Sequence, residues 1–277
     1  MIPIHDLQDA NPFEIRVVEL GELTNYNTSE NHRHTYFELF FFEKGAGHHS
    51  IDFVDFEISS YSIQIVAPGQ VHQMKREKNT NGFVVLFESS VFERDTLISN
   101  FLFDHICFDV NEFGPVYKFD DDVQKRMLLL FKTIWDDFNS DEPLKNEFVK
   151  ANLSLVCIQC LRTLKSTPDK SKNQKTYVNF RRHLHNNFKE LKKVKEYAAQ
   201  LNISEKQLNE IVSSRTGVSA STVIYNQIVL ESKRLLNSGL STKEVAYELN
   251  FDDPSHFSKF FKKQSGTSPS EFQKIHA

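Results

Sequence analysis

The chain has 277 residues, 39% hydrophobic and 25% charged, with 25 phenylalanines; that is enough to fill more than one core and too apolar for a disordered protein. No apolar run approaches the roughly 20 residues of a membrane helix, and the opening MIPIHDLQDANPFEI lacks the blocks of a secretory signal, so the expected compartment is the cytoplasm. The net charge of −4 conceals opposite halves: residues 1–169 carry 15 basic and 27 acidic side chains, residues 170–277 carry 18 and 10, and a basic unit on an acidic body is the footprint of a nucleic-acid binder.

Residues 12–110 hold short apolar stretches such as YFELFFFEKG and YSIQIVAPG, punctuated by Gly, Pro and Asn. That is the pattern of β-strands. From Asp120 the period changes: DDVQKRMLLLFKTIWDDF repeats apolar residues at three and four, DEPL supplies a cap and turn, and KNEFVKANLSLVCIQCLRTLK continues the helical spacing. Two helices are expected to pair there, antiparallel. Cys157 and Cys160 form a C-x-x-C inside the second helix. With Cys107 they make three cysteines, too few for a disulfide framework, and helix packing is their expected role. KSTPDKSKNQKT, Lys165 to Thr176, has no apolar residue and reads as a solvated linker. Beyond it only helical segments with capping signals follow. The expected architecture is α+β and multidomain: a strand-rich unit over 1–118, a helical pair over 119–165, a linker over 166–176 and an all-helical unit over 177–277.

The last unit contains an internal repeat. KEYAAQLNI, Lys195 to Ile203, returns 48 residues later as KEVAYELNF, Lys243 to Phe251, with five of nine residues matched. In each copy a helix ends at Leu-Asn, the Asn can take the left-handed conformation, and a capping residue opens a second helix; that is a helix-turn-helix. Ala198 and Ala246 sit where the two helices must approach closely. Ser204 caps one second helix with Gln207 three residues on, and Asp253 caps the other with Pro254 at its first position. Leu208, Ile211 and Val212, and Phe257, Phe260 and Phe261, are the core stripes. That leaves Lys206, Gln207, Asn209 and Glu210 facing outward in one copy, and Ser255, His256, Ser258, Lys259, Lys262 and Lys263 in the other. Gln and Asn pair with adenine, Lys donates to guanine or phosphate, and Glu accepts from cytosine. Any single polar helix face is more often merely solvated, but two capped copies on a basic unit reverse those odds. A continuous helix between them, with Val223, Ile224, Ile228, Leu235 and Leu236 apolar and Gly239 as its stop, would hold the copies apart. For both to enter successive major grooves their centres must lie about 34 Å apart.

The segment VAYELNFDDPSHFSKFFKKQSGTSPSEFQ, Val245 to Gln273, closely resembles the signature of the AraC family of transcription regulators, and the similarity extends over roughly Tyr177 to Ile275. The resemblance implies that the outward residues above read bases in promoter DNA, that the protein is not an enzyme, and that RNA polymerase is a partner. Two positions depart from the family pattern. Asn250 stands where Gly is common, and Glu210 where Arg is frequent, which removes guanine reading there.

In the N-terminal half, HRHTYFELFFFEKG places His32, His34 and Glu38 ahead of Gly45, and APGQVH places His72 after Pro68 and Gly69. These resemble the two motifs of the cupin barrel, although Pro68 and Gly69 are adjacent where the fuller pattern separates them. The resemblance implies a cupin-like β-barrel and leaves three readings open. A metalloenzyme with an accessory DNA-binding tail would hold an ion on His32, His34, Glu38 and His72 and support oxygenase or isomerase chemistry. A sensor would hold a small-molecule effector among apolar walls and a few polar groups, with His34, Tyr36, Glu38 and His72 as candidate contacts. In the third reading these side chains only satisfy one another at the barrel mouth, and the regulator works without an effector. Fusion to an AraC-like module favours the sensor, with no metal or cofactor. His48 and His49 receive no role. The helical pair has more apolar surface than a connector needs, at Met127, Leu128, Leu130, Phe131, Ile134, Trp135, Leu153, Val156 and Leu161, and part of it is expected to form a homodimer seam.

Overall fold

The computed structural model describes residues 4–5, 15–20, 28–106, 115–164 and 172–276. The chain divides into two compact units, Pro3–Lys165 and Ser166–Ala277. In the first the strands are β1 (Ile4–His5), β2 (Ile15–Glu19), β3 (Arg33–His34), β4 (Phe37–Lys44), β5 (Gly47–Ile51), β6 (Val54–Glu57), β7 (Ser62–Val66), β8 (His72–Arg76), β9 (Asn81–Phe87) and β10 (Val116–Lys118). Five form an antiparallel sheet in the order β10-β7-β4-β9-β2, and β6-β5-β8 form a second. The short β1 and β3 pair in parallel.

β4 is almost continuously apolar because both its faces are covered. Phe37, Leu39 and Phe41 turn to one side, into a core shared with Met127, Phe131, Ile134, Leu153 and Val156. Those five come from helices α2 (Asp121–Phe138) and α3 (Lys145–Thr163), and Phe41 stacks on Phe131 at 4.5 Å between ring centres. Phe40 and Phe42 turn to the other side, into a core with Tyr36, Ile51 and Met74. The unit is therefore layered as helix pair, five-stranded sheet and three-stranded sheet. A fully buried side chain of this size stabilises the fold by about 1.5–3 kcal/mol, so β4 serves two cores at once. Its approach to β9 is close. Gly82 lies opposite Phe42 with φ +148, and a Cβ there would stand 1.9 Å from the Phe41 carbonyl oxygen.

Several expectations are corrected here. The strand pattern stops before residue 110: Ser89–Phe92 is a 3-10 turn, α1 spans Thr96–Phe101 and a π-helical turn follows at Leu102–Ile106. Asp95 starts α1 by accepting from the Leu97 and Ile98 amides, and Ile98, Phe101 and Leu102 recur at helical spacing into the core. The second helix of the pair begins not on a side-chain cap but after Leu144, whose φ is 61. The proposed seam faces inward. Met127, Phe131, Ile134, Leu153 and Val156 are buried, and Leu128, Leu130, Trp135 and Leu161 pack against the same core, so their apolar surplus covers the five-stranded sheet. Leu129, Phe148 and Leu155 are the exposed apolar residues of α2 and α3. Cys157 and Cys160 are buried inside α3, and burial first of all pushes both thiols up, Cys157 to about 12. That makes them packing residues without thiolate chemistry; Cys107 lies outside the described residues.

The second unit is helical: α4 (Lys172–Asn187), α5 (Val194–Gln200), α6 (Glu205–Thr216), α7 (Ala220–Asn237), α8 (Thr242–Glu248), α9 (Pro254–Ser265) and α10 (Pro269–His276). α4 begins inside the expected linker. Its first residues, Lys172 to Lys175, are polar but compatible with helix, and lack of apolar residues shows only that a segment is unburied. Residues 165–171 lie outside the described set. α7 buries Val223, Ile224, Ile228, Leu235 and Leu236 and packs against every other helix of the unit.

Half-buried beside α7 is His185 of α4, whose imidazole is pushed down to about 4 by desolvation and then by the charges of Arg234 and Arg181. Above pH about 6.5 the ring is neutral in the folded and unfolded chain alike. As pH falls from there to about 4 the unfolded chain takes up a proton that the fold refuses, so stability declines by up to about 3 kcal/mol. His185→Gln is expected to flatten that part of the profile, measured as the difference between parent and variant in denaturant midpoints from pH 7 to pH 4.

Candidate functional site

The two repeats fold alike. α5 and α8 each end at an Asn in the left-handed region, Asn202 with φ 54 and Asn250 with φ 51. Asn tolerates that conformation better than most side chains, which is why Asn250 stands in for Gly without disturbing the turn. After each Asn the chain bonds back across the turn, Ile203 N to Ala198 O at 3.1 Å and Phe251 N to Ala246 O at 2.9 Å, and both alanines are buried. The second helices are capped as their sequences require. Ser204 Oγ accepts from Gln207 N at 3.1 Å, and Asp253 Oδ1 accepts from Ser255 N at 2.6 Å and His256 N at 3.2 Å. Those backbone bonds hold the Asp253 carboxyl below the usual range. The copies are also tied together: Lys189 Nζ lies 2.6 Å from Glu248 Oε1, and Lys192 donates to the Asn250 carbonyl while sitting 4.0 Å over the Phe251 ring.

Leu208, Ile211 and Val212 of α6 and Phe257 and Phe261 of α9 are buried, with Phe260 half-buried edge-on to Tyr225. The opposite faces expose Lys206, Gln207 and Glu210, and Ser255, His256, Lys259, Lys262 and Lys263. Ser258 is half-buried and its hydroxyl donates to the Pro254 carbonyl at 2.8 Å. Asn209 is a correction. Its Nδ2 donates to Glu205 O at 3.2 Å and its Oδ1 accepts from Ala220 N at 3.0 Å, so both ends of the amide are engaged within the fold. It takes the first amide of α7, whose N-cap is Ser219, a contact between two helices that local spacing could not show.

A second constellation lies between the two sheets of the N-terminal unit. His32, His34, Glu38, His49 and His72 are all buried. β3 and the residue before it supply the first two, β4 supplies Glu38, β5 His49 and β8 His72, and a backbone bridge joins His32 to His72. His34 Nε2 lies 3.1 Å from His72 Nε2 and 3.3 Å from Glu38 Oε2, which is 3.4 Å from His72 Nε2. Ligand atoms of His32, Glu38 and His72 all fall within 4.8 Å of one another, and Tyr36 stacks on His34 at 4.4 Å. Burial pushes the Glu38 carboxyl up, but His34, by charge and hydrogen bond, and then His32 and His49 outweigh it and leave the pKa lowered. Two imidazoles and a carboxylate, His32, His72 and Glu38, are a donor set of the kind that suits a borderline divalent metal, and here they lie together.

His49 corrects the reading of the His48–His49 pair. His48 is exposed, but His49 is buried, with Nδ1 2.8 Å from Gln64 Oε1 and Nε2 2.9 Å from His72 Nδ1. Burial first of all lowers its pKa to about 4. The signal was the two-residue period of β5: Ile51 points inward, so His49 does too.

The N-terminal unit matches a family model described as AraC-like ligand binding domain over residues 17–154, and the C-terminal unit one described as helix-turn-helix domain over residues 197–275. This chain belongs to the AraC family of transcription regulators. Its relatives are named as regulators. YfiF, an HTH-type transcriptional regulator of Bacillus subtilis, is 24% identical over 268 residues, covering 92% of this chain and 82% of its own. The Msm operon regulatory protein of Streptococcus mutans is 32% identical over 108 residues, 38% of this chain and 39% of its own. Among solved structures, ToxT of Vibrio cholerae is 16% identical, covering 94% of this chain and 97% of its own at a TM-score of 0.46. This AraC-type protein is therefore a DNA-binding transcription regulator with a separate ligand-binding unit.

Asn209→Ala in this regulator is expected to cost the C-terminal unit about 1 kcal/mol, as loss of a helix cap does, while leaving its base preference unchanged. Thermal melts read the first effect and selection from a randomised duplex pool the second.

Proposed function

We propose that the exposed faces of α6 and α9 read promoter DNA in two successive major grooves, and that a ligand in the N-terminal unit controls this reading. The observation that carries the reading is the repetition: two second helices, each cored on one side and capped at its start, expose Lys206, Gln207 and Glu210 in one copy and Ser255, His256, Lys259, Lys262 and Lys263 in the other, with the half-buried Ser258 on the same face. Lys side chains donate to guanine or phosphate, Gln pairs with adenine, and Glu210 favours cytosine over guanine. Asn209 is left out, because its amide is already committed. The ligand contacts proposed in the sensing unit are His34, Tyr36, Glu38 and His72.

The regulator acts in the cytoplasm as a homodimer, contacts RNA polymerase and has no enzymatic activity of its own. Among the described residues no helix is long and apolar enough to cross a membrane. With the inner faces of α2 and α3 used against the sheet, the dimer seam falls on Leu129, Phe148 and Leu155; Phe148 and Leu155 are seven residues apart and share one helix face. Control by a ligand requires that it bind two arrangements of the protein with different affinity.

Selection of the full chain against a randomised duplex pool is expected to enrich a site with two preferred blocks about 10 base pairs apart. Lys259→Ala should then lose about 1–3 kcal/mol at one base position. Loss spread evenly over all sequences would assign Lys259 to phosphate, and a pool with no enrichment at low salt would overturn the reading.

A further inference from the structure

KEYAAQLNI and KEVAYELNF differ at four of nine positions, and two of those four meet lysines from the other copy. Where the first copy has Gln200 and Ile203, the second has Glu248 and Phe251, an acid and an aromatic ring in place of two neutral, non-aromatic side chains. The lysines come from the connection between α4 and α5. Lys189 Nζ lies 2.6 Å from Glu248 Oε1. Lys192 donates to the Asn250 carbonyl with its ammonium 4.0 Å from the centre of the Phe251 ring. A cation is attracted to a carbonyl oxygen and to the face of an aromatic ring, and Ile203 offers no such face.

Lys192 is anchored at its other end. Its backbone amide and that of Lys193 donate to Glu196 of α5 at 2.9 and 2.8 Å, which ties its backbone to the first helix of the first copy. The carbonyl it grips belongs to the left-handed turn residue of the second copy, Asn250. The ring it covers packs against Phe257 and Phe260 of α9, at 5.3 and 5.4 Å between centres. Desolvation lowers the pKa of the ammonium, and Asp252 in the same turn opposes that shift, followed by Glu190. One side chain therefore connects α5 to the turn that aims α9.

Helix α7 also joins the copies, and both pack on it. A shared helix alone leaves rotation about that helix as the soft motion between them; a second tie, away from the helix, closes it. DNA is sensitive to that angle. Changing the separation of two blocks by one base pair moves one block by about 3.4 Å along the axis and turns it by roughly 34°.

We propose that Lys192, supported by Lys189, is a positioning residue for DNA recognition: it fixes the angle between the two helix-turn-helix copies and so the number of base pairs between the blocks they read. It acts through Asn250, Phe251 and α9 rather than by touching a base. The inference rests on the reading of two successive grooves by α6 and α9.

The test uses the full chain and duplexes that carry the two blocks selected by the parent, at the selected separation and at one base pair fewer and one more. The parent is expected to lose affinity sharply at both altered separations. Lys192→Met, which keeps the stem and removes the charge, should bind the selected duplex about 3- to 10-fold more weakly and discriminate poorly between separations, with base preference inside each block unchanged. Lys192→Arg, which also donates to a carbonyl and lies over a ring, should restore the discrimination. The slope of log affinity against log salt should match the parent in Lys192→Met, whereas loss of one phosphate contact reduces it by about 0.9. Circular dichroism establishes that each variant is folded, and Lys189→Met provides the same measurement should Lys192→Met unfold. A folded variant that discriminates separations as the parent does overturns the positioning role and leaves the two-groove reading intact; a reduced salt slope assigns Lys192 to phosphate and also overturns it. A parent that selects one block alone overturns the two-groove reading, and this inference with it.

Discussion

β4 lies in the middle of its sheet with another layer on each face, and the rest of the N-terminal unit follows from that placement. Its alternating side chains must satisfy two environments, so Phe37, Leu39 and Phe41 hold the helix pair while Phe40 and Phe42 meet the three-stranded sheet. Glu38 falls in the second register and is carried indoors with them. A buried carboxylate costs several kcal/mol unless it is paired, and the partners come from neighbouring backbone: β3, β5 and β8 each bring a histidine to the same side. A slip of one residue in β4 would send Glu38 into the helix core and break both layers at once.

In the C-terminal unit the corresponding constraint is the left-handed Asn at each turn. With Asn202 and Asn250 held there, the following helix leaves at a fixed angle, and the buried Ala198 and Ala246 allow it to pack closely. Each exposed face is then set by exclusion, since the apolar stripe fixes the rotation of the helix. Lys189 and Lys192 add a direct coupling between the copies by reaching Glu248, Asn250 and Phe251. α6 and α9, joined through α7 and by these contacts, are held within one helical unit, as reading two grooves in register would demand.

Much of this was legible in the chain. The turn Asn, the caps Ser204 and Asp253 and the core stripes of α6 and α9 are local features, decided within four residues, and local spacing placed them correctly. Three of the misreadings share one cause, which is partnership with residues on other elements. Asn209 looks like a base reader until Ala220 takes its oxygen. Met127 and Phe131 look like a seam until β4 covers them. His49 looks idle until Gln64 and His72 close on it, although its strand period already turned it inward. Residues 165 onward read as linker because nothing apolar marks them, yet α4 begins at Lys172, where helix propensity suffices.

The buried histidine cluster is not the arrangement that would make the fold most stable. Apolar residues of equal volume between the sheets would avoid desolvating a carboxylate and four imidazoles, and replacing buried charged groups in that way is often neutral or stabilising. Elsewhere in the same layer the chain follows that rule with Phe40, Ile51 and Met74. The departure is also organised. Backbone carbonyls fix His32 and His34, and a glutamine held by another carbonyl fixes His49 and through it His72. Here two imidazole nitrogens and the carboxylate meet at one point, and violations of local stability rules of this kind concentrate where a protein binds or reacts. The constraint that makes β4 a double-faced strand thus also places its one acidic inward residue where a ligand can be held.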